Sequence, residues 1–319
     1  MTDREPPTHE PPTHEPPTHE QPADDVLLPG LDPFTVEVDG ATVRGRSSRT
    51  APGTRGVVLL LHGYPQTSAM WHHVAPALVA DGFTVVAPDL RGYGASTCHD
   101  GEMTFRAMAA DQPRVLEALG LDPTGVHVVG HDRGARTAHR LVLDHPGLAR
   151  SVALLDILPT LDVWEQMDAW LARRYFHWTF LIQGGGLPER LIDADPQAWL
   201  DHALGALGGT GGMTTAALEE YAGAARVPSV VHAWCEDYRA GARTDLEHDR
   251  ADRRRTVDLP ALVLWGEKGV VGARADPVEV WRTWFPAAVG HAVPSGHFLA
   301  EQRPEEVLTA VRAHLDAAG

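Results

Sequence analysis

Short runs dominated by apolar residues recur along the chain at Gly56–Leu61, Phe83–Ala87, Val126–Val129 and Val152–Leu155, with amphipathic stretches between them. A run of this kind reads as a strand buried on both faces, and its alternation with helices dictates a parallel sheet covered on both sides. The intervening helices are expected at Ala69–Ala80, Thr104–Leu119 and Arg133–Asp144. Ahead of them, Phe34–Val38 and Thr42–Arg46 alternate across Asp39-Gly40, a hairpin signal. The rhythm then breaks. From about Pro159 to Leu259 the chain is helix-like, rich in aromatics and interrupted by Gly184-Gly185-Gly186 and Gly208-Gly209-Thr210-Gly211-Gly212. Strand signals resume at Ala261–Trp265 and Ala288–Val293, and a last helix is expected from about Pro304 to Ala317. The pattern predicts an α/β class: a mostly parallel, doubly wound sheet built from 27–158 and 260–319, with a helical cap, 159–259, inserted between two of its strands. Residues 1–26 contain three copies of Pro-Pro-Thr-His-Glu. Such a polar, Pro-rich repeat buries no apolar surface and reads as an extended, disordered tail.

Composition removes several classes of function. With 27 Lys and Arg against 43 Asp and Glu, the formal net charge is −16, and such a surface repels nucleic-acid phosphates. The longest apolar run, Val57 to Leu61, falls far short of the roughly 18 residues of a membrane span. The opening Met1-Thr2-Asp3-Arg4 lacks the apolar stretch of a signal peptide. The two cysteines, Cys98 and Cys235, have no metal-ligand spacing and suit a reducing compartment. A soluble, cytoplasmic protein with no metal is expected.

Gly130-His131-Asp132-Arg133-Gly134 directly follows a buried strand and opens a helix. It has the spacing of a nucleophile elbow, G-x-S-x-G, with aspartate in the central place, so Asp132 is the candidate nucleophile. An Asp that merely caps the helix is the plainer alternative, although capping requires neither glycine. His62-Gly63-Tyr64-Pro65 follows the Gly56–Leu61 strand, where hydrolases of this architecture place an oxyanion-hole amide. The donors would be the amides of Tyr64 and Arg133; a simple Pro turn is the alternative. Ser295-Gly296-His297-Phe298 follows the last strand, the place of a catalytic histidine in such a chain order, which singles out His297 from eighteen histidines. The loop after Trp265 reads Glu267-Lys268-Gly269, with glycine where an acid is expected. Asp156, ending the apolar strand Val152–Leu155, needs a charged partner there and is assigned as the acid that orients His297.

Arg133 and Arg136 lie one turn apart in the first turn of a helix, where the macrodipole disfavours cations. Two guanidinium forks there suit a bound carboxylate, and a pair of intramolecular ion pairs is the alternative. The aromatic clusters Tyr175-Phe176-His177-Trp178 and Cys235-Glu236-Asp237-Tyr238-Arg239 read from periodicity as core before site.

Taken together, these motifs resemble the fluoroacetate dehalogenases of the α/β-hydrolase superfamily, over about residues 27–317. The most specific segments are His62–Thr67, Gly130–Arg136, Leu155–Pro159, His177-Trp178, Glu236–Gly241 and Ser295–Phe298. The resemblance implies an α/β-hydrolase fold, with Asp132 as nucleophile, His297 as base and Asp156 as acid. It implies that Arg133 and Arg136 grip a substrate carboxylate, and that His177, Trp178 and Tyr238 donate hydrogen bonds to a departing halide. The implied reaction converts fluoroacetate to glycolate and fluoride through an aspartyl ester, without cofactor or metal. The implied partner is a small haloacid, with no nucleic acid and no membrane; a homodimer is compatible with the reading. One departure stands out: the stretch after Trp199 reads Leu204-Gly205-Ala206-Leu207-Gly208-Gly209 where a bulky aromatic is expected. Its absence would widen the pocket, loosen the cap or admit longer 2-haloacids. An epoxide hydrolase with the same nucleophile, using Tyr175, Tyr221 or Tyr238 as acids, is the alternative enzyme; a non-catalytic ligand receptor on this scaffold is the alternative of another class.

Overall fold

The structure is a computed structural model that describes residues 27–50 and 53–319. The expected tail at 1–26 lies outside the described residues. The hairpin pairs β1 (Leu31–Val38) with β2 (Ala41–Ser48), Val38 opposite Ala41, across Asp39-Gly40 with Gly40 at φ 74°. The apolar runs become β3 (Val57–Leu61), β4 (Thr84–Pro88), β6 (Val126–His131), β7 (Ala149–Leu155) and β8 (Ala261–Gly266). β4 and β6 are buried along their whole length, as a strand covered on both faces must be. The sheet runs β1-β2-β4-β3-β6-β7-β8-β9, with β9 (Val289–Val293) at one edge and the two-residue β5 (Thr97–Cys98) paired to β2. From β4 to β9 every pairing is parallel. β9 carries Gly290 and His291 and is largely exposed, which explains its weaker apolar signal.

The registers Leu61↔Gly130, His131↔Leu155 and Leu155↔Leu264 bring the carboxyl ends of β3, β6, β7 and β8 level. That edge is where an open α/β sheet binds its ligands. After β7 the chain leaves the sheet, runs through eight helices between Thr160 and Asp252, and returns as β8 directly beside β7.

Two expected elements differ in detail. The helix drawn as Ala69–Ala80 is a 3-10 turn, Ser68–Trp71, followed by an α-helix, Val74–Ala80. Pro76 has no N–H and its ring clashes with the carbonyl four residues back, so it sits most easily in a first turn, which is where the restarted helix places it. The last helix begins at Pro304, as drawn, and a short helix, Leu299–Gln302, precedes it. No helix is long and apolar enough to cross a membrane among the described residues.

Candidate active site

Asp132 sits between β6 and the helix Arg133–Asp144 with φ 47° and ψ −116°, a strained conformation for a residue with a side chain. The turn can be tight because Gly130 and Gly134 flank it and Gly63 faces it. A Cβ on Gly134 would stand 2.2 Å from the Leu61 carbonyl oxygen, and one on Gly63 2.5 Å from the Asp132 Cβ. The Asp132 carboxylate does not cap the helix; its Oδ2 accepts the backbone N–H of Tyr64 at 3.0 Å. The His62 ring holds that loop, donating from Nδ1 to the Gly63 carbonyl (3.0 Å) and accepting the Leu90 N–H at Nε2 (2.9 Å). Burial pushes the Asp132 carboxyl up, but the positive field of its neighbours, His297 first and then Arg136 and Arg133, outweighs it and brings it to about 2. Asp132 is therefore a buried carboxylate, ionised at neutral pH.

Asp156 ends β7 as Asp132 ends β6, with φ 52°. Its Oδ1 accepts the Gly266 N–H at 2.8 Å and its Oδ2 lies 2.6 Å from His297 Nδ1. Burial works against the charge on His297, and the bond and charge of Asp156 more than offset it, so the imidazole is raised above its ordinary value. With Nδ1 so engaged, Nε2 is the nitrogen left for chemistry. Gly269, at the position where an acid was expected, is close by: a Cβ there would stand 3.6 Å and 3.7 Å from the two Asp156 carboxylate oxygens. Behind the pair, His131 donates from Nε2 to the His297 carbonyl at 2.9 Å and stays neutral, lowered by burial to about 3.

The two arginines are both buried but differ. Arg133 has a counter-ion within the protein, Asp237. Its Nε donates to Asp237 Oδ2 at 2.8 Å and its Nη2 to Oδ1, so the ion-pair alternative takes two of its three nitrogens, leaving Nη1. Arg136 has no such partner. Its Nη1 donates to the Leu158 carbonyl (3.0 Å) and Thr160 Oγ1 (2.9 Å), its Nε is buried without a hydrogen bond, and among the described residues no carboxylate pairs with it. Burial, and then the charge on Arg133, lower its pKa. A buried guanidinium with no ion-paired carboxylate is costly, and the charge of Asp132 offsets that burial only in part.

Above the elbow the helical segment brings together the aromatics that periodicity alone assigns to core. His177 stacks on Tyr64 with ring centroids 5.6 Å apart, and Tyr238 meets both edge-on at 5.5 Å and 5.2 Å. Trp178 lies 5.9 Å from Tyr238 and 4.8 Å from the Arg136 guanidinium. The Tyr238 hydroxyl is buried with no partner. Burial lowers His177 to about 3, so it is a neutral ring with one N–H to donate. Sequence reasoning missed Asp237 as the counter-ion of Arg133. It also missed the role of Trp199, whose indole donates to the Tyr64 hydroxyl at 2.7 Å; Tyr175, a candidate acid in the epoxide alternative, is stacked on Trp178 at 5.4 Å. Asp237 had a signal: it follows Trp234 by three positions, on the buried face of its helix.

The glycine-rich stretch is not loose. Leu207 O accepts the His297 N–H at 3.1 Å, and Gly208 O accepts Gln302 Nε2 at 2.9 Å. A Cβ on Gly208, at φ 150°, would stand 2.9 Å from the His297 nitrogen, so only glycine lets this stretch close on the histidine loop. Gly205–Gly209, with Tyr175, Lys268 and Val270, line a cavity of about 400 Å³ that reaches His297 and Asp156. A separate cleft of about 480 Å³, between β1, β2 and the helix Thr215–Ala225, contains none of these groups. Glu189, His232 and Glu236 are the one group of possible metal ligands among the described residues. Arg239 already donates to Glu189 (2.7 Å) and Glu236 (2.6 Å), filling the place of a cation.

A nucleophile-elbow carboxylate, a backbone amide aimed at it and an Asp–His pair on one sheet edge define a hydrolase of the α/β class. Over residues 56–304 the chain matches the α/β-hydrolase fold family, and it belongs to that family. Within it, the chain is 41% identical to a fluoroacetate dehalogenase of Burkholderia sp. over 273 residues, 83% of this chain and 89% of the relative. It is 32% identical to a soluble epoxide hydrolase of Corynebacterium sp. (strain C12), over 79% of this chain and 87% of that one. Among solved structures it is similar to an α/β hydrolase from Nostoc sp. PCC 7120, at 43% identity and a TM-score of 0.83, covering 89% of this chain and 98% of that one.

Proposed function

We propose that this hydrolase cleaves the carbon–halogen bond of haloacetates, converting fluoroacetate to glycolate and fluoride. The observation that carries the reading is Arg136, a buried guanidinium with no carboxylate partner, one turn from the Asp132 carboxylate. The substrate carboxylate pairs with Arg136 and with the remaining Nη1 of Arg133, which points the halogen-bearing carbon at Asp132. An Asp132 oxygen attacks that carbon; the new C–O bond forms as the C–X bond breaks, and the halide leaves with the bonding pair. Fluoride carries concentrated charge, so its departure needs strong donors. The Tyr238 hydroxyl, the neutral His177 ring and the Trp178 indole are those donors. His297 Nε2 then takes a proton from water, whose oxygen attacks the Asp132 carbonyl carbon of the ester. The amides of Tyr64 and Arg133 hold the oxyanion, and its collapse expels glycolate, protonated by His297. The helical segment 159–259 acts as a cap that closes this chamber over the elbow.

The same nucleophile also suits an epoxide, but an epoxide brings no charge to neutralise Arg136. Incubation with fluoroacetate, chloroacetate and a simple epoxide separates the readings: halide and glycolate are expected, and no diol. Diol without halide would replace this reading with an epoxide hydrolase, and no product from any of them with a receptor. His297→Asn should release up to one halide per site and leave the Asp132 peptide heavier by a carboxymethyl group. Label on another residue would overturn the assignment of the nucleophile.

A further inference from the structure

We infer that Asp237 is a positioning residue for substrate binding, holding Arg133 so that a single guanidinium nitrogen, Nη1, faces the substrate carboxylate; this rests on the haloacid reading above. Asp237 is completely buried, and its carboxylate is satisfied by donors from two directions. Arg133 supplies Nε at 2.8 Å to Oδ2 and Nη2 to Oδ1, and Tyr93, on the loop after β4, donates its hydroxyl to Oδ2 at 2.5 Å. Arg133 Nη2 also donates to the Asp237 backbone carbonyl at 3.0 Å. The guanidinium lies between two rings, 4.4 Å from Phe105 and 4.3 Å from Tyr238. A Cβ on Gly241, at the end of the same helix, would stand 3.1 Å from Nη2. Nε and Nη2 are thus both taken up by Asp237, and Nη1 is the nitrogen left for a ligand.

Two physical consequences follow. A flexible arginine loses rotamer freedom before the ligand arrives, so less is lost on binding. The negative charge of Asp237 also offsets the repulsion between two buried guanidiniums three residues apart, a repulsion that lowers the pKa of Arg136. Without Asp237, Arg133 would be free to turn and would face Arg136 uncompensated. Because Tyr238 adjoins Asp237 on the helix Pro228–Gly241, the same anchor fixes the helix that carries the proposed halide donor.

The test uses the full chain with chloroacetate and fluoroacetate. Asp237→Asn is expected to raise KM at least tenfold for both substrates, with a smaller change in kcat. Arg133→Gln/Asp237→Asn should have the KM of Arg133→Gln alone, since Asp237 acts through Arg133. An unchanged KM in Asp237→Asn, a loss confined to kcat, or a double variant whose KM is the product of the single effects overturns the inference. Tyr93→Phe, which removes one donor and keeps the ion pair, should raise KM by about threefold. It decides the question where Asp237→Asn does not fold, and an unchanged KM there counts against the proposal. A wild-type chain that releases no halide defeats the haloacid reading itself.

Discussion

Asp132 and Asp156 are the described residues other than glycine with positive φ, and they occupy the same place at the ends of adjacent strands. Conformations of this kind cost of order 1–3 kcal/mol each and persist where the surroundings enforce them. Here glycine neighbours and buried hydrogen bonds do so. The His297 pKa makes one consequence measurable. As the proposed base His297 must be neutral, so the proposed ester hydrolysis should be lost as pH falls through its raised value, above the ordinary value of about 6.5. In the proposed attack on the carbon, the nucleophile is the Asp132 carboxylate, which at about 2 stays ionised. Steady-state turnover should therefore fall with acidification while first-turnover halide release does not; one shared acid limb for both steps would remove His297 from the role of base. At this scale much of the site was legible. The elbow spacing marked Asp132, and an acid after an apolar strand marked Asp156. The fate of Arg133 was not legible, because its partner lies 104 residues away and helical spacing reports only neighbours along the chain. That two arginines in one turn have different partners is a tertiary fact.

Among the elements, the helix Thr215–Ala225 joins the helical segment to the strand and loop residues beneath it. Glu220 accepts from Arg46 at 2.7 Å and from Thr67 at 2.5 Å. Tyr221 donates to Glu301 at 2.9 Å, and Gln66 donates to the same carboxyl group. Glu301 belongs to the short helix that follows His297, and burial raises its carboxyl to about 8. The sign is that of a proton held by the folded chain and released by the unfolded one. Stability falls as pH rises from the unfolded value of about 4.3 toward 8, by roughly 1.4 kcal/mol per unit, and is level above that. Glu301→Gln keeps the shape without the titration, so its denaturation midpoint should drop less between pH 5 and pH 8 than that of the parent. Equal drops would show that Glu301 ionises freely in the fold. The element order was legible because strands and helices have different apolar periods. The subdivision of 159–259 into eight helices was not, because short helices end at caps and contacts that a periodic pattern does not register. The breaks that had a local reason lie at Pro76, at the glycine runs 184–186 and 208–212, and at Pro196 and Pro228, which open helices.

In the whole molecule, a chain of net charge −16 gathers Arg133 and Arg136 into its interior and neutralises only one of them with its own acid. Arg136→Gln should remove the buried cation that has no ion-paired acid. It is expected to cut kcat/KM on haloacetates by about 10- to 100-fold, the worth of a charge-assisted contact of roughly 1.5–3 kcal/mol. Haloacetate kinetics indistinguishable from the parent would show that the carboxylate binds elsewhere. The neighbourhood of Gly269 and Asp156 bears on how such a molecule can change. A carboxylate grown from position 269 would enter the space that Asp156 fills, because the Cβ it needs stands 3.6 Å from Asp156 Oδ1. The histidine's partner is then a location served by two strands, either of which can deliver it. Asp156→Ala should abolish turnover, and Asp156→Ala/Gly269→Asp should recover part of it; a double variant as inert as the single one would mean that the location answers to β7 alone. If it recovers, the duty of orienting His297 can migrate along the sheet by two substitutions, through an intermediate that carries both acids or neither.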